Sequence, residues 1–303
     1  MQTTIVTFVT SFQENWEGKS IMTIRNYRDR FVQELSSQYD ADEAASFFYL
    51  ILEKQRQLRR VDVALQPNLV FSETELVFWN DILQKLQQEI PIQYLLGTTS
   101  FYGLEFEVNS NVLIPRPETE ELVDWIVSKN QKTAHKIKIL DIGTGSGCIA
   151  ITLAKKLPHA EVYAIDVSEG ALETAQRNAL KNDVYVQFIK QNILETTDLG
   201  QLFDVIVSNP PYVRNLEKQE IKKNVLEYEP HLALFVADDN ALVFYTKIAQ
   251  LAQKNVVVGG QLFFEINQYL GQEMITLLQQ LHFNNIELRK DIYGNDRMIG
   301  CSV

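Results

Sequence analysis

The first hundred residues carry apolar side chains three and four residues apart, which is the spacing of one face of an α-helix. Asp40 is a candidate N-cap for a second helix, and Ser72 with Glu75 forms an S-x-x-E capping box at the start of another. We expect that helix to run to Ile90 and to end at Pro91. The pattern therefore predicts a small helical bundle. The apolar face of its first helix is formed by Tyr27, Phe31 and Leu35.

Beyond residue 100 the pattern changes twice. Residues 101–114 are predicted to be extended around Gly103, as a hairpin joining two domains. From residue 136 short apolar strands alternate with helices, which is typical of a parallel sheet covered on both faces. The strands are expected at 137–141, 162–166, 184–189, 205–208 and 261–266, and the helices at 148–157, 168–182, 241–254 and up to 281. A final antiparallel edge pair is expected around 286–288 and 298–301.

The composition is that of an ordinary globular protein. The chain has 303 residues, 46% of them hydrophobic and 22% charged, which fits one large domain or two smaller ones. Its formal net charge is −11 at pH 7. Affinity for nucleic-acid phosphates depends mainly on Lys and Arg, so this balance argues against a protein whose main partner is nucleic acid. Residues 54–60 nevertheless hold four basic side chains, which indicate a solvated face or a site for an acidic partner.

The sequence lacks the residue patterns that several classes of protein function require. Cys148 and Cys301 form neither a disulfide framework nor a metal cluster, which favours a reducing, cytoplasmic compartment. The histidines have no metal-ligand spacing, and G-x-S-x-G and C-x-x-C are absent, so we expect no metal and no hydrolase chemistry. No apolar run reaches the roughly 18 residues of a membrane span. Residues 1–21 do not resemble a signal peptide and are expected to be a tail or an upstream start before Met22.

A glycine-rich turn follows the first strand of the alternating region. The sequence DIGTGSG occupies 141–147, and Asp166 ends the next strand, 25 residues beyond Asp141. Glycines let the backbone approach a ligand closely, and an acidic side chain after the second strand can accept hydrogen bonds from ribose hydroxyls. A dinucleotide would prefer G-x-G-x-x-G, whereas an acidic residue two positions before the first glycine suits a cationic ligand. We therefore expect S-adenosyl-L-methionine; the alternative for Asp166 is a cap of the following turn.

The strand at 205–208 ends in Asn209, Pro210, Pro211 and Tyr212. Two successive prolines make a rigid corner, and in a doubly wound sheet this strand would lie beside the first one, where ligands bind. Asn209 and Pro210 offer carbonyl oxygens that can accept both hydrogens of a planar NH₂ group, and Tyr212 can stack on a flat amide or base. Catalysis would then depend on positioning and charge stabilisation more than on a strong base. The alternative is a corner that only ends the strand.

Asn-Pro-Pro-Tyr on such a frame resembles class I methyltransferases that act on planar amino or amide nitrogens. Further motifs narrow the resemblance to the release factor glutamine methyltransferase family (PrmC/HemK), from about residue 23 to the C-terminus. These motifs are IPIQYLLG at 90–97, FYG at 101–103, VLIPRPETE at 112–120, YEPHLAL at 228–234 and DIYGNDR at 291–297.

The resemblance implies an α/β fold of the class I methyltransferase type. Its doubly wound, mostly parallel sheet would have seven strands, the last of them antiparallel, after a five-helix domain. We expect a tail at 1–21, a helical substrate-recognition domain at 22–97, a β-hairpin linker at 98–115 and a methyltransferase domain at 116–303. The implied reaction is transfer of a methyl group from S-adenosyl-L-methionine to the side-chain amide nitrogen of the glutamine in the Gly-Gly-Gln motif of peptide chain release factors.

The resemblance also implies roles for individual residues. Residues 143–147 would hold the methionine part of the cofactor and Asp166 its ribose. The full set of expected cofactor contacts is Asp141, Gly143, Thr144, Gly145, Ser146, Gly147, Asp166, Asn192, Ile193 and Asn209. At Asn192 and Ile193, near the adenine, the chain departs from the acidic and aromatic pair common in the family. The glutamine amide would lie at Asn209, Pro210, Pro211 and Tyr212, with Asn209 and Pro210 as catalytic residues, and the pocket wall would include Phe101, Arg116, Pro117 and Glu118.

The expected partner is a release factor, bound by the helical domain through basic residues 54–60. We expect no direct nucleic-acid substrate, no membrane and a monomer. The alternatives are an amino-directed methyltransferase of rRNA or DNA bases, a glutamine methyltransferase of another translation protein, and a cofactor-binding regulator that has lost transfer.

Overall fold

The computed structural model describes residues 13–14 and 20–303 of the chain. Its contacts divide the chain into two compact units, Met1–Leu96 and Gly97–Val303. The hairpin that the sequence places between two domains belongs to the second unit. Of the tail or upstream start expected at 1–21, residues 1–12 and 15–19 lie outside the described residues.

The first unit contains five helices among its described residues, as the family resemblance implies. Three of them begin with a side chain that accepts a hydrogen bond from a backbone N–H group: Thr23, Asp40 and Ser72. The predicted caps at Asp40 and Ser72 are therefore confirmed. The elements are β1 (Gln13–Glu14), β2 (Ser20–Ile21), α1 (Ile24–Leu35), α2 (Ala41–Arg56), α3 (Arg60–Leu65), α4 (Glu73–Gln87) and α5 (Ile92–Leu96).

Aromatic rings form the centre of this unit. Trp79 on α4 is 1% exposed and contacts five other rings, Phe78 at 6.4 Å between centroids and four that lie closer. The ring centroids of these four closer partners lie 4.8–5.9 Å from that of Trp79, in edge-to-face or tilted arrangements that suit aromatic quadrupoles. These four are Tyr27, Phe31, Phe48 and Phe71. The predicted apolar face of α1 is therefore confirmed as core.

Helix α4 ends earlier than the apolar spacing predicts. It stops at Gln87, and Glu89 adopts a left-handed backbone with φ of 62°. The N–H of Glu89 then bonds the carbonyl of Leu86, and the N–H of Ile90 bonds that of Lys85, which is the Schellman arrangement. The expected end at Pro91 is thus wrong, because the backbone closes the helix before the proline is reached.

The second unit alternates strands and helices. Its strands are β3 (Thr98–Phe101), β4 (Leu104–Glu107), β5 (Ile137–Ile142), β6 (Ala160–Asp166), β7 (Gln187–Lys190), β8 (Phe203–Ser208), β9 (Val213–Arg214), β10 (Phe235–Val236), β11 (Val256–Glu265), β12 (Asn284–Lys290) and β13 (Asp296–Ser302). Its α-helices are α6 (Pro117–Asn130), α7 (Cys148–Lys156), α8 (Glu169–Lys181), α9 (Lys223–Tyr228), α10 (Val243–Asn255) and α11 (Gly271–Gln280). Short 3₁₀ turns lie at Asn215–Glu220, His231–Ala233 and Asp238–Asn240.

Seven of these strands form one sheet in the order β12-β13-β11-β8-β5-β6-β7. All neighbours pair in parallel except β13, which runs antiparallel to both β11 and β12. The expected doubly wound sheet with an antiparallel last strand is confirmed. The last strand inserts beside β11, so its partner β12 forms the edge. Outside this sheet, β3 pairs with β4 and β9 with β10.

The sheet is covered on both faces. Along β5, Ile137 and Ile139 belong to one buried cluster with α6 and α7, whereas Leu140 and Ile142 belong to another with α10 and α11. Burial on both sides explains why the central strands are continuous apolar runs in the sequence. No helix in residues 20–303 combines the length and apolarity needed to cross a membrane.

Two strand boundaries differ clearly from the pattern. Strand β7 begins at Gln187, not at 184, and β11 begins at Val256, five residues before the expected start. In β11, Gly259 adopts φ of 77° and the pairing with β8 shifts register between Val256 and Gln261. The two glycines at 259–260 therefore mark an irregularity within the strand, directly before the position where the sequence pattern placed its start.

We expect the capping carboxylate of Glu75 to make part of the stability of the first unit depend on pH. It accepts the Ser72 backbone N–H at 2.8 Å and two N–H groups of Arg56, and the hydrogen bonds from Arg56 are the main reason why its pKa falls to about 2. Because this pKa is below the unfolded value of 4.5, the stabilisation exists above about pH 4.5 and is lost as the pH falls towards 2.

Glu75→Gln should therefore lower the free energy of unfolding by about 1–2 kcal/mol at pH 7, allowing for partial exposure, and by progressively less below pH 4.5. Urea unfolding between pH 7 and 3, with hydrogen exchange of α4, measures both effects. Asp42→Asn, in the exposed first turn of α2, is the matched control and should cost less than about 0.5 kcal/mol. Equal losses at all pH values would contradict the assignment.

Candidate active site

The glycine loop joins β5 to α7, and its three glycines differ in what surrounds them. Gly143, Gly145 and Gly147 have φ of 76°, 55° and 81°, a region that other residues enter only with strain. A Cβ at Gly143 or Gly145 would meet no atom within 4 Å, so these two leave an open cradle. A Cβ at Gly147 would lie 2.7 Å from Ile151 Cδ1 and 3.1 Å from Ala175 Cβ, so this glycine permits close helix packing instead.

A cavity of about 280 Å³ opens beside this cradle. Strands β5 and β8 are neighbours with Ile142 opposite Ser208, so the loop after β5 and the corner after β8 lie at the same edge of the sheet. The lining includes Gly143, Thr144, Gly145, Ser146, Asp166, Asn192, Ile193, Asn209, Pro210 and Pro211. These predicted residues, separated by up to 68 positions, are therefore brought together. Asp141 and Gly147 lie behind the loop, outside the lining.

Asp166 lies where β6 ends and holds two segments of the cavity wall. Its Oδ2 accepts the Gly145 N–H at 2.8 Å, and its Oδ1 accepts the Ser168 N–H at 2.9 Å. Burial raises the pKa of the carboxyl, while these backbone donors oppose the shift. The turn-capping role that the sequence left as an alternative is thus present, and the same carboxylate also lines the cavity.

Asp141 is fully buried on β5 directly before the loop. The Thr144 hydroxyl donates to its Oδ2 at 2.6 Å and so fixes the loop from behind. Burial raises the pKa of Asp141 to about 7, and the hydrogen bond from Thr144 counteracts part of that rise. A negative charge at this position is costly unless a positive group lies nearby, which favours a cationic occupant of the cavity.

Apolar side chains form much of the cavity wall near Asn192 and Ile193, the expected adenine contacts. Asn192 is used locally, because its Oδ1 accepts the Leu194 N–H at 3.1 Å and its Nδ2 donates to Glu195 at 2.9 Å. Ile193 is 8% exposed and adds an apolar wall. Phe244, in the first turn of α10, and Ile248, one turn later, complete this wall. Their spacing of four residues is that of any helix core, so the sequence offers no signal that separates Phe244 from ordinary packing.

At the Asn-Pro-Pro-Tyr corner, Asn209 is half-buried and donates from Nδ2 to Thr119 Oγ1 at 3.4 Å. The Thr119 hydroxyl in turn donates to Glu265 Oε2 at 2.6 Å. Tyr212 donates its hydroxyl to Glu265 Oε1 at 3.1 Å and lines a smaller adjoining cavity of about 50 Å³, not the main one. Thr119 lies within the VLIPRPETE motif and Glu265 ends β11, but sequence reasoning gave neither a role at the site.

Comparisons with known proteins agree on both units. Residues 27–97 match the family described as PrmC N-terminal domain, and residues 121–232 match Methyltransferase small domain. The release factor glutamine methyltransferase of Flavobacterium psychrophilum is 61% identical over 92% of this chain and 98% of its own length. That of Bacteroides thetaiotaomicron is 42% identical over 88% and 95%. The chain belongs to the release factor glutamine methyltransferase family.

Among solved structures, the hMettl16 catalytic domain aligns with a TM-score of 0.53 at 16% identity, over 66% of this chain and 76% of its own. This likeness is one of fold. Within residues 20–303, this family member has no group of three or more His, Cys, Asp or Glu side chains arranged to hold a metal ion.

Of the four residues expected to wall the pocket, only Arg116 lines the cavity of this methyltransferase. Its guanidinium bonds Glu229 Oε1 at 2.5 Å, and Glu229 Oε2 accepts the Ile114 N–H, so the pair joins two segments of the wall. Phe101 is instead core, 1% exposed, because its ring packs against that of Phe106 on the paired strand and both belong to the buried cluster with α6 and α7. Pro117 and Glu118 form the first turn of α6 and also lie outside the lining.

We expect the glycines of the loop to respond unequally to alanine. Gly143→Ala should lower the free energy of unfolding by about 1–2 kcal/mol through backbone strain alone. Gly147→Ala also creates steric overlap with Ile151 and Ala175, so it should lower the free energy of unfolding by about 2–4 kcal/mol. Urea unfolding of the ligand-free protein measures both values. Equal losses would show that packing of α7 against α8 does not depend on Gly147.

Proposed function

We propose that this chain transfers a methyl group from S-adenosyl-L-methionine to the side-chain amide nitrogen of the glutamine in the Gly-Gly-Gln motif of peptide chain release factors. The observation that carries the proposal is the shared cavity of the glycine loop and the Asn209-Pro210 corner. The names of the relatives from Flavobacterium psychrophilum and Bacteroides thetaiotaomicron support it. Such a substrate would place the reaction in the cytoplasm, where translation ends.

The cavity has the donors, acceptors and space that this cofactor requires. The open cradle at Gly143 and Gly145 would take its methionine part, and the Asp166 carboxylate would accept hydrogen bonds from its ribose. Ile193 and Phe244 offer flat or apolar surface for the adenine. When bound, S-adenosyl-L-methionine supplies a methyl group on a positively charged sulfur. Asp141 lies behind the loop, and a cation in the cavity would favour the ionised form of its carboxyl.

The corner fits the acceptor amide. An amide nitrogen is a poor nucleophile because its lone pair is delocalised into the carbonyl. The side-chain oxygen of Asn209 and the backbone oxygen of Pro210 would accept its two hydrogens, which holds the nitrogen in place and raises its electron density. The proton would leave to solvent after transfer. No strong base is required, since orientation and local charge provide the rate enhancement.

The helical unit is the proposed docking surface for the release factor. Within residues 54–60, Arg56 is already bound to Glu75, and Lys54 donates to the Leu96 carbonyl. Arg59 pairs with Asp62 at 3.7 Å but stays 69% exposed, and the Arg60 guanidinium lies over the Tyr49 ring, 5.7 Å from its centroid. We therefore assign the recognition of an acidic surface mainly to Arg59 and Arg60.

Asn209→Ala should lower kcat by about 100-fold or more, because the acceptor amide loses one of two partners. Affinity for S-adenosylhomocysteine, measured by calorimetry, should change little and shows that the cavity is intact. The assay offers labelled S-adenosyl-L-methionine separately with release factor, ribosomal RNA and DNA. Label on the Gly-Gly-Gln glutamine supports the proposal. Label on a base, or full activity of the variant, contradicts it.

Charge reversal of Arg59 and Arg60 to Glu should weaken release-factor binding about tenfold at low salt, and less at high salt, because exposed charges are screened. Surface plasmon resonance at two ionic strengths measures the effect. The matched control reverses Lys132 and Lys136, two exposed lysines of the second unit, which gives the same change in net charge. Equal loss in both double variants would mean that only net charge matters, and would reject the assigned surface.

A further inference from the structure

The two ends of the Asn209 side chain are chemically opposite, and only one of them suits the proposed reaction. Its oxygen accepts a hydrogen bond from an NH₂ group, whereas its nitrogen would meet that group donor to donor. The shape of an amide is nearly the same in both orientations, so packing alone does not choose between them. A polar neighbour of fixed direction must set the orientation.

We propose that Thr119 and Glu265 are positioning residues that fix the Asn209 amide with its oxygen towards the acceptor glutamine. This inference rests on the proposed function, because it concerns the same amide. Thr119 and Asn209 line the cavity, and Glu265 contacts Thr119 from outside the lining. Each side chain comes from a different element: α6, the corner after β8, and the end of β11.

Glu265, which is 1% exposed, determines which group donates in each of these hydrogen bonds. An ionised carboxylate only accepts, so the Thr119 hydroxyl donates its single hydrogen to Oε2 at 2.6 Å. The Thr119 oxygen is then left with lone pairs only. Its remaining neighbour, Asn209, lies at 3.4 Å and must present the donor nitrogen, which turns the amide oxygen away from Thr119.

The surroundings of Glu265 favour this arrangement. Tyr212 donates to the other carboxylate oxygen at 3.1 Å, so both oxygens act as acceptors. Burial raises the pKa of Glu265, and Glu118 acts in the same direction, but Thr119, Tyr212 and the positive charge of Arg297 favour the ionised form. Arg297 is held in turn by Asp291 at 3.1 Å. The corner residue Tyr212 and the catalytic Asn209 are thus connected to one carboxylate.

Thr119→Val tests the inference, because valine keeps the branched shape and removes the hydroxyl. We expect kcat on the release factor to fall about 100-fold, with little change in S-adenosylhomocysteine affinity or thermal stability. Thr119→Ser restores the hydroxyl and should recover most of the rate. Thr152→Val is the matched control: Thr152 is also buried, and its hydroxyl has no hydrogen-bond partner within the described part of the chain.

A binding measurement separates orientation from general damage. Wild-type enzyme should bind the release factor more tightly than a release factor whose glutamine is replaced by glutamate, because the Asn209 oxygen repels a carboxylate. In Thr119→Val the amide is free to turn, so this preference should shrink about tenfold or invert. Calorimetry with S-adenosylhomocysteine present gives both affinities.

An unchanged kcat or an unchanged preference in Thr119→Val would overturn the inference while leaving the proposed function intact. Failure of the wild-type enzyme to label the glutamine would overturn the proposed function itself. A loss in Thr119→Val that serine does not recover would also reject the hydroxyl as the positioning group.

Discussion

Strands β5 and β8 pair in parallel with Ile142 opposite Ser208, and the candidate site exists because of this register. The Ser208 hydroxyl donates to the Ile142 carbonyl at 2.7 Å and adds a side-chain link where the two strands end. The strand order reverses at this pair, so the loops that follow β5 and β8 diverge to opposite faces and leave a crevice between them. The glycine cradle and the rigid corner form its two sides.

Carboxylates are concentrated at this edge. Asp141, Asp166 and Glu265 lie at or beside the ends of β5, β6 and β11, and each is held by hydroxyl or backbone donors. Burial raises the pKa of all three, so their negative charge is retained only through such donors or a nearby cation. An edge of this kind disfavours phosphates and suits a cationic ligand. The net charge of −11 is consistent with that selectivity but does not produce it.

In the corner, the two prolines provide rigidity and the Asn209 side chain provides a polar group. Pro210 and Pro211 fix the backbone, so the Pro210 carbonyl needs no further support. The Asn209 side chain is rotatable and depends on Thr119 for its orientation. Residues from α6 and β11 therefore influence chemistry that the sequence alone assigns to the four-residue motif. Thr119 is the more distant of these contributors along the chain, 90 residues before Asn209, and Glu265 is 1% exposed.

Local signals in the sequence determined the elements and their chemistry. Capping side chains such as Asp40 and Ser72, apolar spacing, and the conformational needs of glycine and proline act within a few residues, so the helices, the cradle and the corner were predictable. Only the tertiary structure decided which residues share a wall. Phe101 became core, Phe244 joined the cavity, and Thr119 and Glu265 met at Asn209. Contacts between distant elements depend on strand order and packing direction, and no spacing within a single element records them.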